Sequence, residues 1–246
     1  MKLGLFGYGR MGREIETIAV SRGHEIGACF CLEDPLAETS SLSELEVLVD
    51  FSAPDAVLPT LETAASAGIP VVEGTTGWGD YLAQVREIPG LTMVYSPNFS
   101  PGVYVFMQLV RSAARQLSCI EGYDCYVNEW HHTGKLDSPS GTAKKLGEIL
   151  LEELPTKEKT LYDTCNRRIE PGELQVTSSR VGRVPGTHEV GFDSAFDMIE
   201  LRHQAHGREG FALGAVLAAE WIVDKKGIFT MEDFMANYHA EGGRVR

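Results

Sequence analysis

Basic residues are scarce in this chain. Lys and Arg number 22 against 35 Asp and Glu, a formal net charge of −13. A surface of that sign repels phosphate backbones and anionic lipid, which argues against nucleic acid and membrane surfaces as partners. No apolar run is long enough to cross a bilayer. Cysteines are few: Cys29, Cys31, Cys119, Cys125 and Cys165, an odd number without a Cys-x-x-Cys pair. That argues against a disulfide framework or a zinc knuckle and leaves reduced, mostly buried thiols. There is no His-Glu-x-x-His motif, internal repeat, low-complexity segment or long linker. Met1-Lys2-Leu3-Gly4-Leu5-Phe6 lacks the layout of a signal peptide, so a cytoplasmic location is expected.

Core-forming residues are present in ordinary measure. Hydrophobic residues make up 43% and charged residues 23% of 246, which suits one large or two small domains. Lys2 to Phe6 has the character of a buried strand. Gly7-Tyr8-Gly9-Arg10-Met11-Gly12 follows at once, then a helical stretch from Arg13 to Arg22 with Gly23 as its stop. His24 to Phe30 is the next strand. Strand, G-x-G-x-x-G, helix, strand is the layout of a dinucleotide-binding βαβ unit. The first glycine allows the tight turn, the second lets backbone approach a pyrophosphate, and the third lets helix pack on strand. The helix N-terminus offers free N–H groups to the phosphates. Glu33 and Asp34, about twenty residues on, are placed to accept a ribose 2′-hydroxyl. They would repel a 2′-phosphate, and no arginine follows directly, which leans toward NADH. Arg10 and Arg13 are cations that admit NADPH. The expected cofactor is NADH and/or NADPH.

The alternation continues through strands at Val47 to Phe51, Ile69 to Val72 and Leu91 to Tyr95, with helices at Asp55 to Ala67 and Asp80 to Glu87. This is an open parallel sheet of βα units, and ligands bind beyond the carboxyl ends of such strands. The suspect loops are Ser52-Ala53-Pro54, Gly74-Thr75-Thr76-Gly77 and Ser96-Pro97-Asn98-Phe99. A long helix, Gly102 to Ser118, then leaves the sheet. Strand-like runs at Tyr123 to Trp130, Glu173 to Val181, Thr187 to Phe192 and Met198 to His203 indicate a second, largely antiparallel or mixed sheet, whose exposed face suits oligomerisation. Phe211 to Lys225 is apolar and helical, and Thr230 with Asp233 forms a capping box. The expected fold is α/β: an N-terminal Rossmann dinucleotide-binding domain, residues 1–102 and 213–246, and an α+β mixed-sheet substrate and oligomerisation domain, residues 103–212.

The densest chemistry lies on the strand-to-helix loop after Trp130. His131 and His132 are adjacent, Lys135 follows, and Ser140-Gly141-Thr142 opens a helix. Ser140 is a good N-cap. Gly141 is poor for helix stability but good for close approach of a ligand, so this turn suits a carboxylate. A lysine held beside histidines at a helix N-terminus can act as a proton donor. The histidines point in opposite directions if the strand continues, so one can serve as acid/base while the other binds substrate. Zinc held by Glu129, His131, His132 and His188 competes, but adjacent histidines chelate one ion poorly, and no metal is expected. Basic residues further on, including Arg180, Arg183, Arg202 and Arg208, suit a small anionic substrate if they gather.

Asn128 to Ala143 closely resembles the signature of the dihydrodipicolinate reductase family, E-x-H-H-x-x-K-x-D-x-P-S-G-T-A, at every fixed position. Arg10-Met11-Gly12, Val49-Asp50-Phe51-Ser52, Gly74-Thr75-Thr76-Gly77, Pro97-Asn98-Phe99-Ser100 and the Arg208 to Ala215 region are also similar to that family. The resemblance implies NAD(P)H-dependent reduction of 4-hydroxy-tetrahydrodipicolinate to tetrahydrodipicolinate in the diaminopimelate route to lysine. It implies hydride delivery to C4 of a small dianionic cyclic imine and protonation at the neighbouring carbon. It makes His131 the proton donor/acceptor and Lys135 the proton donor. His132, Ser140, Gly141, Thr142 and Arg208 bind substrate. Gly7, Tyr8, Gly9, Arg10, Met11, Gly12, Glu33 or Asp34, Gly74, Thr75, Thr76, Ser96, Pro97, Asn98 and Phe99 hold the cofactor. A homotetramer and domain closure about Ser100 to Val103 are implied as well. The glycine loop departs from the family's common G-x-G-G-R-M-G by one missing residue. Other readings are another two-domain amino-acid dehydrogenase and a non-catalytic NAD-binding redox sensor, which would need the glycine loop but not the basic site.

Overall fold

The computed structural model describes residues 1–31, 42–162 and 164–240. In chain order the first elements are β1 (Lys2–Phe6), α1 (Arg10–Ser21), β2 (Glu25–Phe30), β3 (Val47–Asp50), α2 (Pro54–Ala67), β4 (Val71–Glu73), α3 (Leu82–Arg86), β5 (Met93–Tyr95) and α4 (Pro101–Leu117). There follow β6 (Asp124–His131), α5 (Gly141–Glu153), β7 (Lys159–Leu161), β8 (Glu173–Arg180), β9 (Thr187–Asp193), β10 (Met198–Gln204), α6 (Glu209–Ile222), β11 (Ile228–Thr230) and α7 (Met231–Ala240). The chain divides into two compact units, Met1–Pro101 with Arg208–Arg246, and Gly102–Gly207.

The first unit holds a sheet in the order β11-β5-β4-β3-β1-β2, every pairing parallel among the described residues. Strand order reverses on either side of β1, which leaves a crevice at the carboxyl ends of β1 and β3. Leu48, Val71 and Met93 are fully buried in the core that α2 and α3 cover. Pro54 pre-sets the backbone angle of the first turn of α2, and Gly68 ends that helix in a left-handed conformation, φ 72°. The expected helix from Asp80 to Glu87 is divided: a single 3-10 turn, Gly79–Tyr81, leads into the short α3. Thr230 and Asp233 cap α7 reciprocally. Asp233 N–H donates to Thr230 Oγ1 at 3.2 Å, and Thr230 N–H to Asp233 Oδ2 at 2.8 Å. α6 is apolar on nearly every side because it packs on both α1 and the sheet.

The second unit is a mixed sheet, β10-β9-β6-β8-β7. β10, β9 and β6 run antiparallel, whereas β6, β8 and β7 run parallel. β6 alternates strictly, with Cys125, Val127, Glu129 and His131 buried. Phe106 and Val110 of α4 join Leu146, Ile149 and Leu150 of α5 and Val127, Val176 and Phe192 of the sheet in one core. The three-residue strands β7 and β11 escape a sequence reading because they are too short to show a period. All five cysteines are free thiols. Among the described residues no helix is long and apolar enough to cross a membrane.

A network of ions fastens α6 within the first unit. Arg22 donates to both Glu220 oxygens at 2.8 Å, and His24 Nε2 lies 2.7 Å from Glu220 Oε1. Burial alone would raise the Glu220 carboxyl, but the Arg22 and His24 bonds outweigh it and hold it below its ordinary value. Glu220→Ala is therefore expected to cost about 2 kcal/mol in chemical denaturation at neutral pH. A depressed native pKa contributes stability above the unfolded value and loses it as pH falls, so the variant's deficit should shrink below about pH 4. A deficit that grows in acid would contradict this assignment.

Candidate active site

Four of the expected cofactor loops follow β1, β3, β4 and β5, and so lie at the carboxyl edge of one parallel sheet. Gly7 makes the turn out of β1 with φ 87°, and a Cβ there would lie 2.3 Å from the Phe51 carbonyl oxygen. A Cβ on Gly12 would come within 2.6 Å of the Gly7 carbonyl oxygen, so α1 can seat on the turn only with glycine there. At Gly9 a Cβ would meet nothing within 4 Å, and the N-terminus of α1 has neither a side-chain cap nor an acid in its first turn. This open, electropositive helix end fits the pyrophosphate of a nicotinamide dinucleotide. Tyr8 donates its hydroxyl to Glu16, Arg13 lies 5.8 Å from the Tyr8 ring centroid, and Arg10 and Met11 start the helix. Glu33 and Asp34 lie outside the described residues.

After β4, Gly74 and Thr75 are buried and Thr76 is exposed. The Thr75 N–H donates to Glu73 Oε1 at 2.7 Å, and Trp78 Nε1–H donates to the Thr75 carbonyl at 2.9 Å. After β5, the Ser96 hydroxyl donates to the Asn98 carbonyl at 2.8 Å, and Asn98 Oδ1 accepts the Ser100 N–H at 2.9 Å. Pro97 is exposed, while Phe99 is buried 6.2 Å from the Phe51 ring. These bonds fix the loop backbones.

In the second unit, the register of three strands builds a single polar cluster. β6 pairs Glu129 with Ser178 of β8 and with His188 of β9, and pairs His131 with Arg180. Glu129 is buried and collects donors: the Ser140 N–H at 2.9 Å, the Ser178 hydroxyl at 2.8 Å and Arg180 Nη2 at 3.2 Å, all on Oε1. Its Oε2 faces His131 Nε2 and His188 Nε2, each at 3.4 Å. The two imidazoles meet edge to face with centroids 5.3 Å apart. Burial alone would raise the Glu129 carboxyl, but the His131, His188, Ser140 and Ser178 bonds outweigh it and hold it well below the carboxylate range. Burial lowers the pKa of His188, against the opposing pull of Glu129.

The cluster sits under the N-terminus of α5. Ser140 caps that helix by accepting the Ala143 N–H at 3.2 Å, and its hydroxyl lies 3.3 Å from His188 Nε2. Gly141 is exposed, with nothing within 4 Å of a Cβ built there, and Thr142 is half-buried beside it. Between strand and helix, Lys135 pairs with Asp137 at 2.7 Å. Arg180 Nη2 donates to the Asp137 carbonyl at 2.5 Å, which ties the loop to the Glu129 cluster. His132 is half-buried and stands apart from the cluster of Glu129, His131 and His188. Arg208 belongs to the first unit, where it is exposed at the start of α6.

From sequence, Glu129 and His188 stand only as metal ligands, Arg180 only as a cation for an anionic substrate, and Ser178 is passed over; the structure joins all four in one hydrogen-bonded and ionic cluster. A glutamate in an alternating strand signals a buried acid in need of donors, but the donors come from two other strands, whose register sequence alone does not show. The ligand atoms of Glu129, His131 and His188 lie within 4.8 Å of one another, a spacing that could also take a divalent cation. His132 is not in that set. Three donors occupy Glu129 Oε1, whereas Oε2, the oxygen that faces the two imidazoles, and His131 Nε2 are buried without a hydrogen-bond partner.

Family models for the dihydrodipicolinate reductase N-terminus and C-terminus match residues 1–99 and 102–235. A 4-hydroxy-tetrahydrodipicolinate reductase of Christiangramia forsetii is 42% identical, with 96% of this chain and 98% of the relative covered. One of the same name from Archaeoglobus fulgidus is 39% identical, with 92% and 96% covered. Among solved structures, a dipicolinate-bound dihydrodipicolinate reductase from Paenisporosarcina sp. TG-14 superposes with a TM-score of 0.73 at 20% identity, covering 94% of this chain and 97% of that one. At that identity the superposition speaks to the fold.

Removing the charge at the centre of the cluster gives a test with a defined sign. Glu129 is held ionised, so its contribution to stability is full above the unfolded carboxylate pKa, about 4, and fades as pH falls. Glu129→Leu strands Arg180 and the Ser140 N–H, and is expected to cost about 3–5 kcal/mol at pH 7. The Glu129→Gln variant should show a flatter fall in stability between about pH 5 and pH 3 than the wild type. Parallel pH profiles, measured by urea denaturation, would rule out an ionised Glu129.

Proposed function

The chain belongs to the dihydrodipicolinate reductase family, and from that premise we propose that it reduces 4-hydroxy-tetrahydrodipicolinate to tetrahydrodipicolinate, in the diaminopimelate route to lysine. The observation that carries this reading is the buried Glu129 cluster, which orients His131 beside the capped, anion-ready N-terminus of α5. A bound NADH or NADPH would supply the hydride that reduces C4 of the cyclic imine.

The chain's own residues then have two tasks. The first is to hold a dianion. The N–H groups of Gly141 and Thr142 at the start of α5 and the hydroxyl of Thr142 offer one carboxylate a seat, because nothing fills the space at Gly141. His132 and Arg208 are assigned to the substrate's other polar groups. The second task is to deliver a proton to the carbon beside the one reduced. Lys135, on the loop that Arg180 anchors, is assigned as donor, with His131 as donor/acceptor oriented by Glu129.

Gly7, Tyr8, Gly9, Arg10, Met11 and Gly12 are assigned to the cofactor's pyrophosphate side. Glu33 or Asp34 takes its ribose, and Gly74, Thr75, Thr76, Ser96, Pro97, Asn98 and Phe99 its nicotinamide side. The first unit is assigned the cofactor and contributes Arg208, and the second is assigned the other substrate residues and the subunit contacts. Assembly as a homotetramer through the sheet of the second unit is part of the proposal. A non-catalytic redox sensor would leave the Glu129 cluster without a use.

The deciding assay follows oxidation of NADH and of NADPH with the cyclic substrate formed in situ from pyruvate and aspartate semialdehyde. Turnover with at least one cofactor is expected, and none with either would overturn the proposal. Lys135→Ala should lower kcat by about 100-fold or more, while the dissociation constant of the cofactor stays within about twofold. A matching loss of cofactor affinity would remove Lys135 from the proton-transfer role.

A further inference from the structure

Two buried carboxyl groups in the first unit have no part in the chemistry above. Asp50 ends β3 and Glu73 ends β4, and these parallel strands pair the two residues in register. Both are 0% exposed. They extend the row begun two residues earlier by Leu48 and Val71, which belongs to the apolar core. Two ionised carboxylates side by side in such a setting repel each other and lack solvation.

The donors available, from Ser52 and Thr75, are all uncharged and cannot neutralise two anions. Asp50 Oδ1 accepts the Ser52 N–H at 2.9 Å and the Thr75 hydroxyl at 3.3 Å. Glu73 Oε1 accepts the Thr75 N–H at 2.7 Å. The remaining oxygens, Asp50 Oδ2 and Glu73 Oε2, are buried without a partner, as is the Ser52 hydroxyl, which acts on Asp50, and the strand register sets the two acids side by side. A single proton between them satisfies both.

No other charge competes for the pair among the described residues. Neither acid forms an ion pair with Lys, Arg or His, and the groups acting on them are each other, Ser52 and Thr75. Phe6 on β1 and Tyr95 on β5 flank them in register, with Tyr95 packed edge-on against Trp78. On α2, Asp55 and Glu62 are exposed, as is Arg86 on α3. On α6, which packs on β3 and β4, Glu209 is exposed and Glu220 is engaged by Arg22 and His24.

We propose that Asp50 and Glu73 share one proton at neutral pH, with Glu73 Oε2–H donating to Asp50 Oδ2, and that this singly charged pair positions the Ser52 turn and the Gly74–Thr76 loop. Asp50 carries the charge because two donors converge on its Oδ1. Glu73 stays neutral because burial, and then the Asp50 charge, raise its pKa well above the ordinary value. Thr75 is the residue through which the pair acts: its N–H is bound by Glu73 and its hydroxyl by Asp50, and that hydroxyl also accepts the Ser52 N–H at 3.1 Å. Asp50 and Glu73 are thus positioning residues for a loop assigned to the cofactor. The effect on cofactor binding rests on that assignment, whereas the shared proton does not.

The sign of the pH dependence follows. Both native pKa values are raised, so the pair's contribution to stability is full in acid and is lost as pH rises, first through the value of Asp50, about 6, and then through that of Glu73. Loss of the proton sets two buried charges against each other and loosens Thr75, so cofactor affinity falls with rising pH.

The test uses the full chain as wild type, Glu73→Gln and Glu73→Ala. Infrared difference spectra at pH 7 should show the carbonyl stretch of a protonated carboxyl in the wild type and not in Glu73→Gln. The amide of Glu73→Gln can donate to Asp50 Oδ2 and accept the Thr75 N–H, so this variant should retain affinity for NADH or NADPH and lose its pH dependence. Glu73→Ala should weaken binding by about tenfold. Absence of the band, or equal weakening in both variants, would overturn the proposal. Failure of the wild type to bind either cofactor would overturn the cofactor assignment, and the infrared band would then decide the shared proton alone.

Discussion

The second unit depends on keeping one buried carboxylate satisfied. Glu129 lies mid-sheet, where an isolated charge would cost several kcal/mol, of the order that forces a group to neutralise instead. It stays ionised because three strands and a helix bring donors to it: Ser178 and Arg180 from β8, His188 from β9, His131 from its own strand, and the Ser140 N–H from the start of α5. Each donor is also a constraint. Ser178 and His188 lock the register of β6 against both neighbours, because a slip of one residue would point Glu129 to the other face. The Ser140 bond seats the helix N-terminus above the strand end, and Arg180 reaches past Glu129 to the loop carrying Lys135 and Asp137. Arg180 thus links the Lys135 loop to the same carboxylate that His131 faces.

The first unit follows a different rule. Its sheet is parallel throughout, so every strand delivers its following loop to the same edge. The reversal of strand order beside β1 separates the helices that follow β1 and β3, and the Gly7 turn meets the Phe51 backbone there, with the Phe51 N–H donating to the Phe6 carbonyl at 2.8 Å. The Ser96 loop is tied by a local bond, the Ser96 hydroxyl to the Asn98 carbonyl, and the Ser52 and Thr75 loops are tied to each other by the Ser52 N–H to Thr75 Oγ1 bond. Loops tied in this way present backbone groups at set positions, as recognition of a cofactor's amide and ribose requires.

These two rules explain what could be read from sequence. The β1–α1 unit was legible because its signal is local: an apolar run, three glycines in a fixed spacing, then a helical period. The histidine-lysine stretch and Ser140 were legible for the same reason, and Ser140 does cap α5. Glu129's role was not, since its meaning lies in Ser178 and His188, 49 and 59 residues further along the chain. Asp50 and Glu73 look like ordinary acids at strand ends until their register makes them neighbours. The short strands β7 and β11 are defined by the strands they pair with, Lys159–Leu161 by β8 and Ile228–Thr230 by β5. What sequence conceals here is register, because pairing brings together residues that carry no mutual signal along the chain.

The protein thus treats its buried acids in two opposite ways, and the difference follows from donor supply. Glu129 has three hydrogen-bond donors on Oε1, among them a guanidinium, and two imidazoles facing Oε2 at 3.4 Å, so ionisation is the state its surroundings favour. Asp50 and Glu73 together offer four oxygens to the N–H and hydroxyl groups of Ser52 and Thr75, none of them charged. In an acidic chain with few cations, spending arginine on every buried carboxylate is not possible. The one facing His131 and His188 receives Arg180. The pair beneath the cofactor loop is left to satisfy itself, which lowers its charge beside a site assigned to an anionic dinucleotide.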